Sequence, residues 1–307
     1  MQFNFLSSTF LKYSFIFLWF VSSLLAQPKH EVRGVWISTN YNLDWPPAGT
    51  TIEEKKESLV KILKDIRARK FNTVYLQVRS GGALIYPSGV EPVMDEFEGD
   101  ANKFNPLKFA LDQAHQLNLK LYAWVNVLNV TKQGKGESVS TFHPNWVIPF
   151  RDAGSIKNWL DPGLPEVREY IVQLIEELTT NYNVDGIMLD YMRYPGKKFN
   201  DDFSFTLYSQ GKEKFAWRRE NIIELLDSIY HTAKKIKPRV KVAVTPLGIY
   251  KNNNNTGYFS AYEDASQDAI AFVKNRIVDF IVPQIYWSIE NKPSFKKLLE
   301  FWKTAVT

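Results

Sequence analysis

From Glu31 onward the chain alternates between short, densely apolar runs and longer stretches in which apolar residues return every three or four positions. Arg33–Thr39 (RGVWIST), Thr73–Arg79 (TVYLQVR), Lys120–Val127 (KLYAWVNV), Gly186–Tyr191 (GIMLDY), Lys241–Gly248 (KVAVTPLG) and Asp279–Trp287 (DFIVPQIYW) are short and rich in β-branched and aromatic residues, which predicts strands. Between them, helical spacing predicts helices over Ile52–Lys70, Pro106–Asn118, Pro165–Asn181, Trp217–Ile236, Ala265–Asn275 and Ser294–Ala305. Leu59, Ile62, Leu63 and Ile66 mark the apolar stripe of the first, and Pro106 stands in the first turn of the second.

Strands apolar on both faces and separated by helices imply a parallel sheet covered by helices. Connections before strands are short (Lys70 to Thr73, Asn118 to Lys120, Val184 to Gly186), whereas those after strands are long. That asymmetry fits a TIM-type (β/α) barrel, in which the C-terminal ends of all strands build one functional face. A doubly wound open sheet shares the alternation, but no Gly-rich phosphate loop follows the first strand. Only six strand–helix units are visible, and a complete barrel has eight. Either the final units are absent or strands are hidden in the Gly-, Ser- and Pro-containing loop before Leu160. The expected fold is therefore a barrel truncated after about six units, with first and sixth strands each paired on one side only and Val35 and Ile281 less buried than in a closed barrel. Asn252–Asn255 reads as a surface turn.

Composition narrows the picture. The chain has 307 residues, enough for one barrel of about 250 residues and a leader. Residues 1–26 read as a secretory signal: Lys12 is the positive charge, Tyr13 to Leu25 the apolar stretch, and Ala26 the small residue before Gln27. Leu24 is a poor −3 residue, so retention as an anchor is the alternative. After cleavage no stable membrane span is expected, residues 27–307 form the barrel domain, and the location is secreted or periplasmic. The net charge of +5 comes without a Lys/Arg block, so nucleic acid is not an expected partner. Absence of cysteine excludes disulfides, thiol catalysis and cysteine-ligated metal. Aromatic residues make up 15%, including nine Trp and fifteen Tyr, which supplies ring faces that can stack on sugars as well as core.

The strongest candidate chemistry lies in Asp185-Gly-Ile-Met-Leu-Asp190-Tyr191-Met-Arg193-Tyr-Pro195. Asp190 ends an apolar strand, on the rim where barrels bind substrate. Arg193, its nearest cation in sequence, is expected to hold it ionised as a nucleophile, base or charge stabiliser, unless the two merely cap the loop. Asp185 precedes the strand and belongs to the opposite face. Glycoside hydrolysis needs a second carboxyl, about 5–5.5 Å away for retention or about 6.5–9.5 Å for inversion. Asp161 and Glu91 are the candidate partners, with Asp44 behind them, and each has a structural reading as a turn residue. No strand ends in Glu. Further rim positions are Gln77, Arg79, Asn126, Thr245, Gln284 and Tyr286, with Trp124 and Trp287 as stacking surfaces. Of these, Arg79, Trp124, Asn126, Gln284, Tyr286 and Trp287, together with Tyr191 and Arg193, are the expected substrate-binding set. His143 has no partner at metal-ligand spacing and no G-x-S-x-G follows a strand, so neither metal nor a serine nucleophile is expected, and no cofactor is called for.

These residues resemble the glycosyl hydrolase-like 10 family of exported bacterial proteins. The resemblance runs through Glu31-Val-Arg33-Gly34-Val-Trp36, Gln77-Val-Arg79 with Tyr86-Pro87-Ser88 and Glu91-Pro92, and Ala123-Trp124-Val-Asn126. It continues through His143-Pro144-Asn-Trp146, Leu160-Asp161-Pro162-Gly163-Leu-Pro165, the Asp190 block and Pro283-Gln284-Ile-Tyr286-Trp287. It implies a TIM-type barrel acting on a polysaccharide or oligosaccharide, in part of the family bacterial cell-wall glycan. Asp190 matches the family's acidic strand-end position, and Arg79, Asn126, Asp161 and Gln284 match its polar rim. Two departures stand out: Ala83 and Tyr191 occupy positions where many relatives carry Asp. The expected function is a carboxylate-based glycoside hydrolase acting on a bacterial polysaccharide such as peptidoglycan strands. The rival readings are a glycan-binding barrel without turnover and a deacetylase or esterase, which needs metal or an activated serine.

Overall fold

The apolar runs become parallel neighbours in the order in which they occur along the chain. A computed structural model describes residues 31–100, 103–132, 136–252, 257–290 and 292–306. The leader expected over residues 1–26 lies outside the described residues, as does the Asn252–Asn255 turn apart from Asn252. The strands are β1 (Gly34–Ile37), β2 (Thr73–Ser80), β3 (Ala83–Leu84), β4 (Lys120–Asn126), β5 (Val147–Asp152), β6 (Ser155–Leu160), β7 (Gly186–Asp190), β8 (Lys241–Val244) and β9 (Phe280–Ile281). The helices are α1 (Ile52–Ala68), α2 (Asp95–Glu98), α3 (Pro106–Gln116), α4 (Val139–Phe142), α5 (Pro165–Asn181), α6 (Asp202–Tyr208), α7 (Lys214–Ile236), α8 (Ala269–Lys274) and α9 (Phe295–Ala305).

β1, β2, β4, β7, β8 and β9 pair in parallel in that order, and β3 turns back antiparallel on β2. The order never reverses, whereas a doubly wound sheet must switch direction at its ligand crevice. The sheet is a curled half-barrel. Among the described residues β1 pairs only with β2 and β9 only with β8, as the six-unit count predicts, and Val35 and Ile281 are half-buried.

The period of two along each strand separates two cores. Val74, Leu76 and Val78 of β2, Leu121, Ala123 and Val125 of β4, and Ile187 and Leu189 of β7 pack against the helices. Tyr75, Tyr122, Met188 and Ala243 cluster on the other face, bordered by Trp36, Trp124, Phe280 and Val282. The helices start where their caps dictate. Thr51 and Glu54 form a capping box at α1, Asn105 Oδ1 accepts from Lys108 N at 3.0 Å at α3, and α3 and α5 both begin on proline.

Several expectations change, among them the strand over Lys241–Gly248, which ends at Val244, and the helix over Ala265–Asn275, which begins at Ala269. The last strand shortens from Asp279–Trp287 to Phe280–Ile281, because Pro283 has no N–H for the ladder. Helix α7 begins at Lys214 rather than Trp217, because Glu213 accepts from Phe215 N and Ala216 N at 3.0 and 2.7 Å. The loop before Leu160 contains strands after all, but β5 and β6 form their own antiparallel hairpin and stay out of the barrel sheet. Its two-residue turn, Ala153 and Gly154, has φ of 43° and 84°, the left-handed pair that suits the twist of a hairpin.

Candidate active site

In the parallel ladder Asn126 at the end of β4 stands beside Asp190 at the end of β7, and backbone Val127 N donates to Asp190 O at 2.8 Å. Their side chains therefore share the face of Trp124 and Met188, one step above them. Asp190 is 8% exposed. Its Oδ1 accepts from Tyr191 N at 2.8 Å, Thr245 Oγ1 at 2.8 Å and Gln284 Nε2 at 3.0 Å, whereas among the described residues Oδ2 meets only Trp124 Nε1 at 3.3 Å. Tyr191 reaches this position with φ of 56°, a left-handed conformation unusual for a bulky residue, which folds its amide back onto the carboxylate. Gln284 is delivered by a close backbone approach at Gly248, where a Cβ would stand 2.3 Å from Gln284 O.

Arg193 does not pair with Asp190. It is half-buried, its guanidinium carbon lies 5.4 Å from the ring centres of both Trp159 and Tyr191, and Nη1 donates weakly to Tyr194 O at 3.3 Å. Burial therefore wins over the expected ion pair. The Asp190 carboxyl is pushed above its ordinary value by burial, against the Thr245 and Tyr191 hydrogen bonds and the charge of Arg193.

A bulge in β2 between Gln77 and Arg79 re-aims Arg79. Its fully buried side chain leaves the barrel mouth and forks onto Glu91. Nε donates to Oε2 at 2.7 Å, Nη2 donates to Oε1, and Nη1 reaches the carbonyls of Asn126 and, at 2.8 Å, Val127. Tyr170 of α5 donates to Glu91 Oε1 at 2.7 Å. Both oxygens of Glu91 are thus occupied inside the protein. The structure brings Arg79 and Glu91 to each other rather than to Asp190.

Asp161 follows β6 in the layer above β4, where Leu160 N donates to Leu128 O at 2.9 Å. It is 3% exposed and accepts from Gly163 N at 2.9 Å, near the buried Asp201–Arg218 pair. Burial pushes its carboxyl up to about 6. None of these partners is shared with Asp190. Asp44 is exposed and accepts from Ser38 N at 2.8 Å, a local turn. Asp185 holds Leu121 N and His115 at the opposite end of the sheet, as its place in sequence implied.

Of the remaining rim residues, Gln77 Oε1 accepts from Ser38 Oγ, Thr39 N and Asn40 N and so ties down the end of β1. Trp124 is half-buried and meets Trp36 edge-on at 4.9 Å. Tyr286 is 82% exposed. Trp287 packs over Gly248. Asn126 Oδ1 is buried with no hydrogen-bond partner among the described residues. Ala83 lines a cavity of about 310 Å³ with Asn40, Ser80, Asp95 and Lys132, at the β1–β2 end of the same face.

Trp159 lies within residues 132–160, a span whose polar and glycine content predicts loop. The signal was present: Asp-Ala-Gly-Ser between two β-prone runs (IPFRD and SIKNWL) is a hairpin turn. Among the described residues no group of three or more His, Asp or Glu side chains is gathered as for a metal, and no helix is long and apolar enough to cross a membrane.

The sequence profile described as Glycosyl hydrolase-like 10 matches residues 31–307. Glycosyl hydrolase YngK of Bacillus subtilis (strain 168) is 31% identical over 307 residues, covering 92% of this chain and 59% of YngK. Glycosyl hydrolase DigH of Escherichia coli (strain K12) is 30% identical over 316 residues, covering 91% of this chain and 71% of DigH. In fold, the chain is similar to the PgaB (BpsB) glycoside hydrolase domain from Bordetella bronchiseptica. The TM-score is 0.57 at 16% identity, over 82% of this chain and 73% of that one. A cycloisomaltooligosaccharide glucanotransferase from Paenibacillus sp. follows at TM-score 0.56 and 11% identity, over 90% of this chain and 37% of that one.

Proposed function

This chain belongs to the glycosyl hydrolase-like 10 family, and from that premise we propose that it hydrolyses glycosidic bonds of a bacterial polysaccharide, with peptidoglycan glycan strands as the substrate to test first. The observation that carries the proposal is the asymmetry of Asp190. Three donors fix Oδ1, and Oδ2, met only by Trp124 at 3.3 Å, is the oxygen left to act on a substrate. Relatives named glycosyl hydrolases support the reaction class.

In this proposal Asp190 acts ionised, as nucleophile or as stabiliser of the positive charge that develops at the sugar carbon. Asp161 is the proton donor to the leaving oxygen, a role suited to a carboxyl pushed up to about 6 by burial. Glu91 holds Arg79, and Arg79 in turn holds the end of β4 through the carbonyls of Asn126 and Val127. Trp124, Tyr286 and Trp287 supply ring faces, and Gln284 keeps Asp190 in place. Export through a leader over residues 1–26, ahead of a barrel domain over 27–307, belongs to the same proposal.

The test is reducing-end release from purified sacculi stripped of their peptides, and from unrelated glycans as controls. The wild-type chain is expected to release ends from the strands, and Asp190→Asn to release none above background. Turnover that survives in Asp190→Asn overturns the assignment. One observation favours a second reading, a glycan-binding barrel: no direct partner of Asp190 is a second carboxyl. Binding of glycan strands with no release from any glycan by the wild type selects that reading.

A further inference from the structure

Among the described residues Arg193 has no counter-ion in ion-pairing contact. Although only three residues from Asp190, it forms no ion pair with it, and Asp190 Oδ1 is already saturated by three neutral donors. Asp152 and Asp190 are the carboxylates whose fields it feels, and neither is within ion-pairing reach. Taking a guanidinium out of water costs several kcal/mol unless a partner compensates, and burial pushes this one below its ordinary value.

Two aromatic rings supply part of the compensation. Trp159 and Tyr191 stand edge to face at 5.5 Å, and the guanidinium lies over both at 5.4 Å. The backbone is fixed as well, since Trp159 Nε1 donates to Arg193 O at 3.0 Å. Ring contacts of this kind use none of a guanidinium's N–H donors in a full hydrogen bond. Among the described residues its one hydrogen bond is the weak one to Tyr194 O at 3.3 Å, and the residue is only half-buried, so donors remain unused. A guanidinium with unused N–H donors matches a carboxylate in bidentate geometry. The net charge of +5 favours approach of an acidic polymer.

We propose that Arg193 is a specificity residue that binds a carboxylate carried by the glycan beside the bond that is cut. This rests on the reading of Asp190 as the centre of a glycan site. The ligand class is an acidic glycan, and the neutral glycan of the same backbone is the one discriminated against.

Binding is measured in an Asp190→Asn background, so that turnover does not interfere. The probes are peptide-free glycan strands, whose alternate sugars carry a lactate carboxylate, and the same strands with those carboxylates converted to methylamides. A second matched pair is oligogalacturonate and its carboxyl-reduced form. A charge-assisted bidentate contact predicts roughly tenfold to a hundredfold preference for an acidic probe over its neutral partner. Adding Arg193→Met, which keeps the packing on the rings, is expected to bring that ratio close to one, and Arg193→Lys to restore only part of it. Absence of a preference in either pair, including absence of binding, overturns the proposal, as does a preference that survives Arg193→Met. Should Arg193→Met fail to fold, the probe comparison and Arg193→Lys decide alone. Hydrolysis by the wild type without an acidic preference sinks only the Arg193 assignment, and a preference without hydrolysis sinks only the glycosidase reading.

Discussion

Removing Glu91 should cost this protein stability before it costs chemistry. Both side chains of the Arg79–Glu91 pair are fully buried, and three donors converge on the two carboxylate oxygens: Arg79 Nε, Arg79 Nη2 and Tyr170 Oη. Glu91→Ala strands a guanidinium in the core, and breaking a buried pair from one side costs about 3–5 kcal/mol. Against a total stability on the order of 5–15 kcal/mol, that is a large share. For a domain of this size it corresponds to a fall in Tm of roughly 6–20 °C. The damage also reaches the site, because Arg79 Nη1 holds the carbonyls of Asn126 and Val127 next to Asp190. Replacing both partners by apolar residues, Arg79→Met with Glu91→Leu, removes the stranded charge and should recover most of the lost stability. The assay is a double-mutant cycle on thermal or denaturant unfolding, with reducing-end release measured in each variant. Single substitutions that leave Tm within about 2 °C while abolishing turnover would make Glu91 a catalytic acid. Strictly additive losses in the double variant would show that the pair is not coupled.

Two further outcomes follow from the carboxyls. With Asp161 pushed up to about 6, turnover should fall as pH rises through about 6, and Asp161→Asn should lose that limb together with roughly 10²–10⁴ in rate. The same shift acts on stability. Between about pH 4 and 6 the unfolded chain ionises this group while the native state keeps its proton. Native stability should therefore decline by up to about 3 kcal/mol over that window, and Asp161→Asn should flatten the decline. At Asp190, Thr245→Val removes a 2.8 Å donor that favours the ionised form, so the carboxyl should rise further and the acid limb of kcat/KM move to higher pH. An acid limb that stays in place would mean that another group titrates there.

The order of strands and helices was legible along the chain because periodicity is a local property. GIMLD has no polar position before Asp190, and IVQLIEEL carries its stripe at helical spacing, whatever lies next to them. The place of Asp190 at the rim followed from that alone, since a residue ending a barrel strand sits on the functional face. The hairpin over residues 147–160 carried its turn signal too, though its packing on Tyr191 did not. Tertiary structure decided which charges meet. Arg193 is three residues from Asp190 and lies over the Trp159 ring instead, while Arg79 crosses to Glu91 because one bulge turns it around. Gln284, ninety-four residues away in sequence, reaches Asp190 Oδ1 only because the sheet places β9 beyond β8 and Gly248 lets its backbone approach. Burial, which raises the carboxyls of Asp161 and Asp190, depends on every element that covers them. Pairing and desolvation are set by distance in space, and sequence spacing fixes that distance only within one strand or one helical turn.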